Sequence, residues 1–70
     1  MKLEMSENLE KQYKSDMKHN NGSKGSFVTK IDMMLERDFN DIIEAENYAN
    51  SIGLGRTIIG HMGLVREGVF

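Results

Sequence analysis

The sequence contains no cysteine. That excludes a disulfide staple, a thiolate nucleophile and a cysteine-ligated zinc, and it fits a reducing, cytoplasmic setting. No apolar run approaches the ~18 residues that a membrane-spanning helix needs, so no membrane association is expected. The opening M-K-L-E-M-S-E-N lacks an apolar stretch of the kind a secretory signal carries, and no signal is expected there. Clustered metal ligands are missing too. His19 and His61 stand alone, with no second His or Cys nearby. The 70 residues allow one small domain. A chain of this size buries only ~60% of its unfolded surface, so a homo-oligomer is expected.

Basic clusters are equally scarce. The net charge is −2 but unevenly spread. Residues 26–52 set Lys30 and Arg37 against Asp32, Glu36, Asp38, Asp41, Glu44 and Glu46, while the segments on either side are each +1. An acidic middle argues against a nucleic-acid surface, which needs gathered Lys and Arg. It suits a basic protein partner, or a role as a DNA mimic. The plainer reading is a solvated helix face.

What is present has a clear order. Residues 6–18 predict a helix. Ser6 is a good N-cap, Glu7 suits the first turn, and Glu7–Lys11 and Glu10–Lys14 are i,i+4 pairs. Met5, Leu9, Tyr13 and Met17 form a thin apolar stripe along it. Residues 19–26, H-N-N-G-S-K-G-S, have turn chemistry and nothing to bury, which reads as a linker with His19 in solvent. Residues 1–25 are therefore expected to be a detachable N-terminal arm, dispensable for folding, and residues 26–70 the folded body.

Residues 27–35, F-V-T-K-I-D-M-M-L, fit both a strand and a helix. The β-branched and aromatic start favours a strand. Residues 38–53 predict a helix with Asp38 as N-cap, Asp41 in its first turn, and Ile42, Ala45, Ala49 and Ile52 on one face. Gly53 lies where a left-handed glycine ends such a helix. Five of the seven glycines fall in the last 18 residues, which argues against helix there. Thr57, Ile58 and Ile59 favour a strand, with tight turns or bulges at Met62-Gly63 or Glu67-Gly68 and a final hairpin strand. The expected fold is α+β, a strand–helix–strand(–strand) body whose strands lie parallel through a right-handed crossover. The alternative is an all-α helical hairpin with residues 26–52 as one long helix.

The stretch I-G-L-G-R-T-I-I-G-H-M-G-L-V, residues 52–65, concentrates the candidate site. Gly53, Gly55, Arg56 and Thr57 invite a phosphate reading: glycines turn backbone N–H groups toward an anion, and arginine adds a bidentate donor. The known phosphate fingerprints place their glycines before a helix, not after one, and a simple helix stop explains the same residues. His61 would need an orienting partner to act as a base; Ser51, Glu67 and Asp32 are the options, and a strand histidine on a polar face is the plainer reading. Arg66 completes the set.

The run G-H-M-G-L-V-R, residues 60–66, is similar to the last helix of phage anti-CBASS cyclic-nucleotide sponges, which carry a small-x-Met-small-Leu-x-Arg pattern there. The similarity covers seven residues. It implies a helix over them and nucleotide sequestration.

Two functions are therefore expected. The first is a small non-enzymatic interaction protein, an inhibitor or accessory factor of phage type that docks on a larger protein. The second is a homo-oligomeric binder that sequesters an anionic nucleotide or phosphate ligand through residues 53–66, with Gly55, Arg56, Thr57, His61 and Arg66 as contacts. No cofactor, metal or catalysis is expected, since one isolated His gives little means of preorganising a reaction.

Overall fold

The structure is a computed structural model describing residues 1–61 and 63–66. In chain order it has strand β1 (Leu3–Met5), helices α1 (Glu7–His19), α2 (Ser26–Glu36) and α3 (Ile42–Ser51), a single 3-10 turn at Arg56–Ile58, and strand β2 (Leu64–Arg66). The fold is a small α+β arrangement of three helices and a two-stranded antiparallel sheet. Leu3 lies opposite Arg66, Glu4 opposite Val65 and Met5 opposite Leu64. No helix among the described residues is long and apolar enough to cross a membrane.

The helix expected near the N-terminus forms as read. Ser6 caps it, its Oγ accepting from the Leu9 N–H at 3.2 Å. Leu9 is fully buried, with Met5, Tyr13 and Met17 half-buried beside it. The linker composition of residues 19–26 is partly a helix stop. Asn21 adopts the left-handed conformation at φ 55°, Asn21 N–H donates to Lys18 O at 3.2 Å, and Gly22 N–H donates to Met17 O at 2.8 Å. These two bonds make a Schellman ending.

Residues 27–35 are helix, not strand. Val28, Ile31 and Met34 are buried at three-residue spacing, with Phe27 and Leu35 flanking them half-buried. A strand would have turned Thr29 inward, and Thr29 is exposed. Burial of one helical stripe outweighs the local strand preference of F-V-T, because that preference reflects packing more than backbone. The expected parallel pair is thereby lost, and β2 pairs with β1 instead.

The single 26–52 helix of the all-α alternative does not form either. Arg37 is extended at ψ 147°, and Phe39 inserts almost completely into the core. The Phe39 ring lies 5.7 Å from that of Tyr48, and the Arg37 guanidinium sits 4.3 Å over the Tyr48 ring. Asp38, expected as the cap of the next helix, pairs with the Met1 ammonium. The cap is Asp41, three residues on, whose Oδ1 accepts from Glu44 N–H at 2.8 Å. The Glu44 carboxylate reaches back to Asn40 N–H at 3.0 Å, a capping box shifted by one residue.

The end of the chain also departs from the expectations. Residues 56–58 are a 3-10 turn where a strand was expected, and Ile58 and Ile59 are buried. The helix implied by the similarity over residues 60–66 is not formed, since Gly63 has φ +102° and Leu64–Arg66 is a strand. The turns expected at Met62-Gly63 and Glu67-Gly68 and the last hairpin strand fall wholly or partly on Met62 and residues 67–70, outside the described residues.

Residues 1–25, expected as a detachable arm, place two side chains in the core. Leu3 and Leu9 belong to one buried cluster with Ile31, Met34, Phe39, Ala45, Ala49, Ile58, Ile59 and Leu64. A polar clamp ties the same segment to α2. Tyr13 donates its hydroxyl to Asp32 Oδ1 at 2.7 Å, and Lys24 Nζ stands 2.7 Å from Asp32 Oδ2 as an ion pair. Burial pushes the Asp32 carboxyl up, but the Lys24 and Tyr13 bonds and the Lys24 charge together hold it below its ordinary value of 3.8. The hydrogen bond to Asp32, with burial and the carboxylate's charge adding to it, raises Tyr13 above 10.0.

Deleting residues 1–25 should abolish the cooperative thermal transition, and Leu9→Ala should cost about 2–5 kcal/mol in urea unfolding. The clamp should be lost at both ends of the pH scale. Its carboxylate contribution is fully present above pH 3.8 and disappears as pH falls through the lowered Asp32 value. Its phenol contribution is present below pH 10.0 and disappears as pH rises through the raised Tyr13 value. Asp32→Asn should cost about 1 kcal/mol or more at neutral pH. The gap between its urea midpoint and that of the wild type should close in strong acid.

Candidate cleft between the start of α2 and the exit of α3

Three elements meet around a cleft of about 480 Å³. The first turns of α2 supply Ser26, Phe27 and Lys30, the exit of α3 supplies Gly53 and Leu54, and the 3-10 turn supplies Thr57 and Ile58. A volume of this order suits a small ligand, since such sites run from about 300 to 1,000 Å³.

The sequence builds the cleft through one helix ending. Gly53 has φ +88°; its N–H donates to Asn50 O at 3.2 Å, and Leu54 N–H donates to Ala49 O at 2.9 Å. This is a second Schellman ending, with the left-handed glycine at the place the sequence predicts. It turns the chain across the end of α3, and Gly55, at φ +84°, turns it again. Ile58 is then buried in the core, which leaves its neighbour Thr57 exposed on the rim.

Across the cleft, α2 begins at Gly25 with no side-chain cap. Phe27 is half-buried and forms an apolar wall with Leu54 and Ile58. Lys30 is one turn further on. Its ammonium lies 3.0 Å from where a Cβ on Gly53 would sit, so the missing side chain makes its room. It also stands at the C-terminal end of α3, the negative end of that helix's dipole. Among the described residues no carboxylate is within ion-pair distance of Lys30.

The five expected contact residues do not converge. Only Thr57 lines the cleft. Gly55 shapes the turn beside it. Arg56 is exposed and points along the outside of α3, its guanidinium 3.4 Å from Asn47 Oδ1. His61 is exposed; its backbone N–H donates to Thr57 O at 2.8 Å. Arg66 sits on β2 opposite Leu3. Among the described residues no group of three His, Cys, Asp or Glu is placed to hold a metal ion.

Ser26, Phe27 and Lys30 are the residues that sequence reasoning missed. A signal existed: Phe27 and Lys30 are three apart and share a helix face, but only once 27–35 is read as helix. Their partners lie more than twenty residues away, and no local pattern joins them.

No protein-family model, no curated protein and no solved structure matches this chain.

Gly53→Ala should report on this geometry. The strained left-handed conformation should cost about 1–2 kcal/mol, read from the urea midpoint, and the added methyl should displace the Lys30 ammonium.

Proposed function

We propose that the protein is a small non-enzymatic binding protein that holds an anionic ligand in the cleft between α2 and α3. A nucleotide or another phosphate-bearing compound is the class in view. The observation that supports this reading is Lys30, an ammonium at a concave site with no carboxylate partner among the described residues. Ser26 and Thr57 add hydroxyl donors at the same rim. The residues to test are therefore Lys30 and Thr57 rather than Arg56, His61 and Arg66. Self-association, expected from the chain's size, and a cytoplasmic setting, suggested by the lack of cysteine, belong to the same proposal.

A second reading is favoured by a different surface. Ile43 is 63% exposed, and it shares the outward ridge of α3 with Asn47 and Asn50. Arg56 joins this ridge through Asn47. An exposed apolar side chain on one ridge with amides and an arginine resembles the composition of a small protein interface. On this reading the chain is an inhibitor or accessory factor, and Arg56 contacts the protein partner.

One experiment separates the two. Calorimetric titration with a panel of nucleotides, at two salt concentrations, should give binding that weakens with salt. Lys30→Gln should weaken it about ten- to hundredfold, the loss of one charge-assisted bond, while Arg56→Ala and Ile43→Asp should leave it unchanged. No heat from any nucleotide would remove nucleotides as the ligand class. A protein partner lost with Ile43→Asp and retained with Lys30→Gln would support the docking one.

A further inference from the structure

The cleft's lining limits what kind of anion fits, and the limit comes from two counts that the lining residues settle. The first is charge. Among the described residues, Lys30 is the one cation in the lining. Neither Lys24, paired with Asp32, nor Arg56, whose guanidinium lies 3.4 Å from Asn47 Oδ1, lines the cleft. A single ammonium neutralises one anionic group, and a chain of phosphates would leave most of its charge unmatched.

The second count is apolar surface. Phe27, Leu54 and Ile58 make up three of the seven lining residues. Ile58 is buried, Phe27 and Leu54 are half-buried, and all three pack in or against the core. This wall is held by the fold and does not have to be organised by the ligand. The polar atoms, from Ser26, Lys30 and Thr57, belong to residues that are exposed or half-buried. The arrangement is a hydrophobic wall with a polar side bearing one positive charge.

We infer that the ligand is a small amphiphilic anion: one phosphate or carboxylate group carried on a single aromatic or branched apolar body. The anionic group takes Lys30 with the Ser26 and Thr57 hydroxyls, and the body lies on Phe27, Leu54 and Ile58. This inference rests on the reading of the cleft as an anion site and narrows it to one class, excluding nucleoside polyphosphates as preferred ligands.

The test is amide-resolved NMR titration of the full chain with three probes: inorganic phosphate, phenyl phosphate and adenosine triphosphate. Phenyl phosphate should shift the amides of Phe27, Lys30, Gly53, Leu54 and Ile58. It should bind about ten- to hundredfold tighter than inorganic phosphate, the factor expected from burying one phenyl ring. It should also bind tighter than adenosine triphosphate. Leu54→Ala should reduce that advantage over inorganic phosphate, and Lys30→Gln should weaken binding of all three about ten- to hundredfold. Leu54→Ala removes a partly buried side chain, so the ratio of the two affinities is the readout, with a retained native spectrum as the control. If inorganic phosphate or adenosine triphosphate binds at these residues as tightly as phenyl phosphate, the amphiphile is wrong and the anion site stands. If no probe shifts these amides, the anion site itself falls.

Discussion

Ser6 and Gly63 meet at the point on which the rest of this fold depends. The Ser6 N–H donates to the Gly63 carbonyl, one step beyond the Met5–Leu64 pair of the sheet. The Ser6 Oγ accepts from Leu9 N–H and so starts α1. A Cβ on Gly63 would collide with that Oγ and press within 3.2 Å of the Leu9 Cβ, and the φ of +102° is one that side-chain-bearing residues rarely adopt. A strand end, a helix cap and a core leucine are thus settled by one absent methyl group. The junction also joins residues 57 positions apart in sequence, so neither strand has a partner unless the chain closes on itself.

That closure explains why so short a chain has a core. A two-stranded ribbon alone is marginal in water. Here it carries Leu3 and Leu64 into the same cluster as Leu9, Ile31, Met34 and Phe39. Phe39 breaks the path between α2 and α3, and the small Ala45 and Ala49 let α3 pack closely against the cluster it enters. With α3 fixed there, its glycine exit must face the first turns of α2, and the cleft follows from that placement. Its apolar wall is an extension of the core, while its polar rim comes from side chains left outside. The clamp of Tyr13, Lys24 and Asp32 ties α1 and the α1–α2 connection to α2, the element that carries Lys30.

Local signals were legible where the chemistry is local. Ser6 as a cap, the Leu9 stripe, Ala45 and Ala49 facing inward, and Gly53 as a left-handed stop all read correctly, because each depends on residues within about one turn. Asp38 as a cap did not, because its carboxylate is taken by Met1, remote in sequence. Residues 27–35 satisfied two periods at once. Only the position of the core decided that Val28, Ile31 and Met34, and not Phe27, Thr29 and Ile31, would share the buried face. Of the expected contact residues, Thr57 reached the cleft because Ile58 beside it is anchored; Arg56, one residue earlier, was turned to the outside of α3.

The sequence by itself determined that this chain carries no disulfide, has a capped helix near its start and has a glycine-ended helix in its second half. Those properties follow from composition and from interactions spanning a few residues. The tertiary structure alone decided that 27–35 is helical, that the sheet is antiparallel between Leu3–Met5 and Leu64–Arg66, and that Lys30 faces Gly53 across a cleft. Each of these rests on burying apolar surface between segments far apart in the chain. The free energy of that burial has no local signature, because it belongs to the pair of surfaces and to neither segment alone.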